Sequence, residues 1–279
     1  MSENQVITPE QLEEYMQGLY AKSKVAQKKF EREFTTNRRV DEVLRAIGMK
    51  TCEYAEELCT DALNETKMGN VNDKMSKLKG IVFGQWAICK GQNTVDYEDS
   101  PLEPGIKILY KPMGVIGCVM PSTNPVATII GNAMMALKGR NSVIIAPHPM
   151  SVRLSVKMVK LLREALESVG APADLIQCIS EEYASREATN LMMSTCDACI
   201  STGGAGRVKA AYSSGKPAFG VGQGNVQEIV DLGISDAELE RQATLCVAHR
   251  AKDNGVPCAG AQTVHIHAQQ LEQWKGYMQ

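Results

Sequence analysis

The sequence predicts an α/β fold: a Rossmann-like parallel sheet with helices on both faces, preceded by an N-terminal helical segment. Three observations carry this expectation. From Thr8 to about Gly91 apolar residues recur with a helical period. After Gly105 short apolar runs alternate with amphipathic ones, the pattern of strand–helix–strand units whose strands are buried on both faces. The chain has 279 residues, 44% apolar and 22% charged, enough for a sizeable core.

The elements follow in order. Thr8-Pro9-Glu10-Gln11 is a helix start, with a capping threonine, proline at the first helical position and glutamine at the third. Leu12, Tyr15, Met16, Leu19 and Tyr20 continue it at helical spacing. Further helices are expected from Arg38 to Ala46 and from Tyr54 to Glu65, then an exposed connection over 92–105. Lys107–Val119 holds strand-forming stretches and ends at Pro121-Ser122-Thr123-Asn124-Pro125. A helix over Ala127–Leu137, a strand over Ser142–Ala146, a helix over Val152–Val169 and a strand over Leu175–Ile179 come next. Ser185–Met193 reads as a helix and Ala198–Thr202 as a strand; Gly203-Gly204-Ala205-Gly206 then opens a helix toward Tyr212. Val226–Val230 reads as another strand. Ligands of such sheets bind where strands end, so the loops at 121–125, 147–149 and 202–206 are expected near one site.

Composition narrows the classes of partner. A net charge of −2 with interspersed signs offers no electrostatic footprint for nucleic acid or an anionic membrane. The opening MSENQVITPEQLEEYMQG lacks a basic stretch followed by an apolar one, so no signal peptide is expected, and no run reaches membrane-spanning length. Nine cysteines without framework spacing argue for free thiols in a reducing compartment, and the cytoplasm is the expected location.

Among motifs with chemical meaning, Gly203-Gly204-Ala205-Gly206 sits where a helix N-terminus can hold a phosphate, yet it is not G-x-G-x-x-G and a plain tight turn fits it equally. Gly220-Val221-Gly222-Gln223-Gly224-Asn225 reads as backbone passing close to a ligand or another strand. Cys196 and Cys199 read as inert core thiols rather than a redox pair. His265 and His267 share one strand face at i, i+2 but lack a third ligand, and no metal is expected. Cys258 stands apart, because Asp253-Asn254-Gly255-Val256-Pro257-Cys258-Ala259-Gly260 places its thiol among turn residues instead of in an apolar run. That makes it a candidate nucleophile.

Several collinear stretches resemble the CoA-acylating branch of the aldehyde dehydrogenase superfamily. They are Asn64–Gly69 (NETKMG), Gly114–Pro125 (GVIGCVMPSTNP), Leu137–Pro149 (LKGRNSVIIAPHP), Ser201–Lys216 (STGGAGRVKAAYSSGK), Phe219–Asn225 (FGVGQGN) and Asp253–Cys258 (DNGVPC). The resemblance is strongest to enzymes of short acidic aldehydes, such as succinate semialdehyde or sulfoacetaldehyde. It implies oxidation of an aldehyde with NAD or NADP, and coenzyme A as co-substrate, through a thioester on Cys258, or the reverse reduction of the acyl-CoA. Asn124 matches the oxyanion-hole asparagine. Ser122, Thr123, Thr202, Gly203, Gly204 and Gly222 fall at cofactor-binding positions, and Pro147-His148-Pro149 where the adenosine end is contacted. Hydrolytic relatives carry a glutamate base that aligns at about Val221; no carboxylate occurs in 219–225, which fits acyl transfer to CoA rather than to water.

Two features depart from the family pattern: Pro257 precedes the nucleophile, and Ala259-Gly260-Ala261-Gln262 follows it. The resemblance also implies a division into an N-terminal helical part (1–105), a cofactor-binding core (106–250) and the beginning of a catalytic domain (251–279), the rest of which lies beyond the chain. A homo-oligomer is implied for the full-length protein. The rival expectation is a non-catalytic nucleotide-binding or assembly subunit that kept the fold alone.

Overall fold

The computed structural model describes residues 7–278; the opening residues of the segment tested for a signal peptide lie outside them. Four helices lead: α1 (Pro9–Glu33), α2 (Asn37–Glu53), α3 (Ala55–Thr66) and α4 (Val71–Cys89). The expected capping box starts α1, with Thr8 Oγ1 accepting from the Gln11 amide and the Gln11 side chain accepting from the Thr8 amide. Helix α2 runs beyond the expected Arg38–Ala46 at both ends, because Thr36 caps its start and Ile47, Gly48 and Thr51 are buried along its last turns. A corner at Lys67–Asn70, with Lys67 and Gly69 in the left-handed region, separates α3 from α4.

The connection expected over 92–105 contains a short strand instead. Strand β1 (Tyr97–Asp99) pairs antiparallel with β2 (Lys107–Leu109) as an exposed two-stranded ribbon. Its signal is weak because three residues, two of them charged and none fully buried, carry no readable alternation.

The main sheet is all parallel. It comprises β3 (Val115–Val119), β4 (Ser142–Ala146), β5 (Ile176–Cys178), β6 (Ala198–Thr202) and β7 (Ala218–Val221), in the order β5-β4-β3-β6-β7. Helices α5 (Pro125–Lys138), α6 (Val152–Ser168), α7 (Arg186–Thr195) and α8 (Ala205–Tyr212) connect the strands. Successive strand residues point to opposite faces. Ile116, Cys118, Val143 and Ile145 join a core with residues of α2, α4, α5 and α6, whereas Val115, Val119, Ile144 and Ala146 join a second core with Met16 of α1 and Met192 of α7. The doubly wound expectation is met. The sequence shows β7 only as close-passing backbone; it is an edge strand, and a Cβ on Gly220 would strike Val208 and the Tyr212 ring of α8.

A third unit follows: β8 (Val226–Ile229), α9 (Asp236–Ala251) and β9 (Ala261–His265), with β8 and β9 parallel and α10 (Leu271–Tyr277) packed alongside through Trp274. The expectation that His265 and His267 share a strand face is corrected here. β9 ends at His265, and His267 lies beyond it, its Nδ1 accepting from the Gln269 amide. Among the described residues no group of three or more His, Cys, Asp or Glu is placed to hold a metal, and no helix is long and apolar enough to cross a membrane.

Candidate active site

In a parallel sheet all strands end on one edge, and the strand order reverses between β3 and β6. From β3 the chain winds outward to β4 and β5; from β6 it winds the other way to β7. The reversal opens a crevice at the strand ends. Register makes this concrete: Val119 lies beside Ala146 on one side and Ser201 on the other, and Thr202 lies beside Val221. The Met120 amide donates to Ala146 O (3.0 Å) and the Gly203 amide to Val221 O (3.0 Å). Segments 121–124, 147–149, 203–204 and Gly222 therefore leave one edge of the sheet side by side.

Asn124 is the N-cap of α5, but its side chain makes no capping bond; Oδ1 is buried without a hydrogen-bond partner. Its main-chain carbonyl accepts from Thr128 (3.0 Å), and Pro125 at the first helical position has no N–H to cap. The side-chain oxygen is thus buried at the helix start and unused by the fold. Thr123 and Asn124 line a small cavity together with Lys74, Lys77 and Cys59.

The N-terminus of α8 is likewise uncapped: Gly204 has no side chain to offer. Added Cβ atoms on Gly204 and Gly206 would meet nothing within 4 Å, and on Gly203 only the aliphatic start of Arg207. None of the three has positive φ. Neither strain nor packing within the chain calls for glycine there, and the helix start is left open. At the neighbouring loop the His148 Nδ1 accepts from Met150 N (3.2 Å). Burial, followed by the nearby Arg207 charge, pushes the His148 pKa down, so the ring is neutral and an acceptor.

Cys258 alone among the nine free cysteines is exposed. Burial pushes the thiols of Cys59 and Cys246 up to about 11 and that of Cys118 to about 12, and raises Cys178, Cys196 and Cys199 as well. The motif of Cys196 and Cys199 is indeed inert core. Its Asp197 instead serves the fold, accepting from Lys24 (2.7 Å), Tyr20 (3.0 Å) and the Val115 amide (2.8 Å).

Cys258 sits in a turn closed by Gly260 N donating to Pro257 O (3.1 Å). The 222–225 segment runs against this turn: a Cβ on Gly224 would lie 3.5 Å from Cys258 O, and Gln262 Nε2 donates to Gly224 O (3.2 Å). Two stretches singled out separately in the sequence are thus neighbours.

A third neighbour, the start of α4, carries no signal in the sequence. Asp253 is fully buried and bonded to Lys74 (3.1 Å) and Lys77 (2.7 Å) of α4 and to the Asn70 amide (2.8 Å). Burial raises the Asp253 pKa, but the bonds from Lys77, Asn70 and Lys74 outweigh it and hold the carboxyl below its ordinary value. Both ends of this contact lay at or beside stretches noticed in the sequence, Asn64–Gly69 and Asp253–Cys258; their contact across 183 residues carries no local signal. Lys74 and Lys77, which also border the Asn124 cavity, had no motif at all.

The structure thus holds, on a doubly wound sheet, an uncapped glycine-rich helix start, an asparagine side chain that the fold does not use and one exposed thiol. The aldehyde dehydrogenase family model matches residues 11–278, and the chain belongs to that family. It is 41% identical over 254 residues to an acetylating succinate-semialdehyde dehydrogenase of Clostridium kluyveri, covering 91% of this chain and 54% of that protein. An acetylating aldehyde dehydrogenase from Geobacillus thermoglucosidasius superposes with a TM-score of 0.88 at 31% identity, over 96% of this chain and 58% of that one. A propionaldehyde dehydrogenase from Rhodopseudomonas palustris with bound propionyl-CoA superposes with a TM-score of 0.81 at 27% identity, over 94% and 57%. The chain spans about half the length of the curated relatives it matches.

Proposed function

We propose that the protein to which this chain belongs is a CoA-acylating aldehyde dehydrogenase, with Cys258 as nucleophile and a short, acidic aldehyde as substrate. The observation that carries the reading is the setting of Cys258: the one exposed thiol, on a turn that touches the 222–225 segment, where no carboxylate stands. The thiolate adds to the aldehyde carbonyl, and the charge developing on oxygen is met by the Asn124 side-chain amide and the Cys258 main-chain N–H. Oxidation leaves an acyl thioester on Cys258. Deacylation by water needs a general base, which the 219–225 stretch lacks, so the thiol of CoA takes the acyl group.

NAD(P) fits the strand-end crevice. Gly203 and Gly204 leave room for the pyrophosphate at the α8 N-terminus, with Ser122, Thr123, Thr202 and Gly222 around it and Pro147, His148 and Pro149 toward the adenosine end. Bound there, the nicotinamide supplies the hydride acceptor. The division at about residues 105 and 250 belongs to the same proposal: helical part, cofactor core, and beginning of the catalytic domain. A homo-oligomer of the full-length protein rests on the likeness to the family. Nine unpaired cysteines support a reducing compartment such as the cytoplasm.

The test follows NAD(P)H absorbance and acyl-CoA formation from a panel of short aldehydes, with and without CoA, on the longest open frame that contains this chain. CoA-dependent acyl-CoA production is expected. Full NADH formation without CoA, yielding the free acid, would overturn the reading.

A further inference from the structure

We propose that Asp253 is the positioning residue of the nucleophile turn, a buried anion that ties the 253–258 segment to the α3–α4 corner and so sets where Cys258 stands relative to Thr123 and Asn124. The inference rests on the reading of Cys258 as nucleophile. The geometry around Asp253 comes from four directions. Its Oδ2 accepts from both Lys74 and Lys77, its Oδ1 from the Asn70 amide, and its own amide donates to Asp73 Oδ2 (2.8 Å). Asn254 adds a bond from Nδ2 to Gly69 O (3.1 Å). Gly69 itself has φ +76°, and a Cβ there would overlap the Asp253 carboxylate, so the corner is shaped to receive this side chain.

The backbone at this point is strained. Asp253, Asn254 and Gly255 have φ of 49°, 55° and 76°, three left-handed residues in succession, two of them bearing side chains. Such a run is unfavourable for L-residues and persists only where surrounding contacts over-determine it. Here those contacts are the two lysines and the corner. The run follows the end of α9, and the Val256 amide, bonded to Asp253 O (3.1 Å), leads into Cys258, five residues after Asp253.

The same lysines complete the link. Lys74 and Lys77 lie three residues apart on one face of α4, and both border the cavity that holds Thr123 and Asn124. One rigid pair therefore touches both halves of the proposed site: the segment bearing the thiol and the wall bearing the oxyanion amide. A buried ion pair is a weak source of net stability but holds geometry strictly, because any displacement leaves an unpaired charge in the interior. That is the property a nucleophile turn requires, since the reacting atoms must be held to within a fraction of an ångström.

The experiment places a nitroxide label on Cys258 of this chain, in a Cys52→Ala, Cys178→Ala background, and records its electron paramagnetic resonance spectrum. A broad, slow-motion spectrum is expected for Asp253 and a fast-motion one for Asp253→Ala, with faster amide exchange over 254–260 and unchanged exchange in the main sheet. Should Asp253→Ala not fold, Lys77→Met keeps the Lys74 pair and is expected to give a two-component spectrum. A lower melting temperature with unchanged label motion and unchanged exchange over 254–260 would show a merely structural anchor and overturn the proposal. Acylation of unlabelled Cys258 by a panel of short acyl-CoA thioesters that includes succinyl-CoA, read by mass, is measured in parallel on the longer open frame and is expected to slow at least tenfold in Asp253→Ala. Absence of acylation in the parent overturns the reading of Cys258 as nucleophile, and the label spectra still decide the role of Asp253.

Discussion

Cys258 and Asn124 contribute almost nothing to the fold, and that separates their roles from packing. The thiol is exposed and the asparagine Oδ1 has no partner. Cys258→Ala is expected to abolish acyl-CoA formation while moving unfolding free energy by no more than about 0.5 kcal/mol, the usual range for a surface change. Asn124→Ala is expected to slow the chemical step by roughly 10²–10³-fold, the loss typical of one oxyanion donor. It should leave the melting temperature unchanged or raised, since a buried acceptor without a partner is an unfavourable group. Steady-state kinetics beside calorimetry on the same variants checks both. A loss of activity that tracked a loss of stability would assign these residues to the core instead.

At the scale of elements, the α8 N-terminus sets stability against binding. Gly204→Asp supplies the missing cap and places an anion at the positive end of the helix, which should stabilise the protein by a few tenths of a kcal/mol. The same carboxylate stands where a pyrophosphate would sit, so the NAD(P) dissociation constant is expected to rise by roughly tenfold or more, about 1.4 kcal/mol. Thermal shift with and without dinucleotide reads both effects from one sample; a variant that binds NAD(P) as the parent does would remove 203–206 from the cofactor site. Helix α1 answers to a different test. It covers one face of the sheet through Met16 and is tied to β3 and β6 by Tyr20 and Lys24 on Asp197. Deleting residues 1–33 is therefore expected to yield insoluble protein rather than a trimmed domain, measured as the soluble fraction on expression.

For the molecule as a whole, two of these tethers make stability depend on acidity. Asp253 and Asp197 are both buried enough to be raised, yet lysine and main-chain donors hold each below the ordinary value. A carboxyl whose folded pKa is depressed adds stability that is present above its unfolded pKa, about 3.9, and is lost as pH falls through the folded value. The melting temperature should therefore drop as the pH falls below about 4. Asp197→Asn should start lower and drop less steeply, by differential scanning calorimetry. Equal slopes in the two proteins would mean that other carboxylates dominate acid unfolding.

The sequence by itself determined the layering, because strand and helix periods are local properties: β3, β4 and β6 appear where apolar runs were read, and α5 and α6 between them. It also singled out Cys258 and the strand-end loops, since turn residues around a thiol and glycines at a helix start are visible without coordinates. Short elements escaped it: β1 is three residues long, and β7 is masked by Gly220, which serves close approach to α8. Only the tertiary structure decided what those motifs are to one another. That Gly224 lies against Cys258, and that Asp253 locks into the corner at Gly69–Asn70 and between Lys74 and Lys77, depends on contacts between segments far apart in the chain, 183 residues for Asp253 and Asn70. Such contacts leave no periodicity, because a buried charge is specified by its partner in space rather than by its neighbours in the chain.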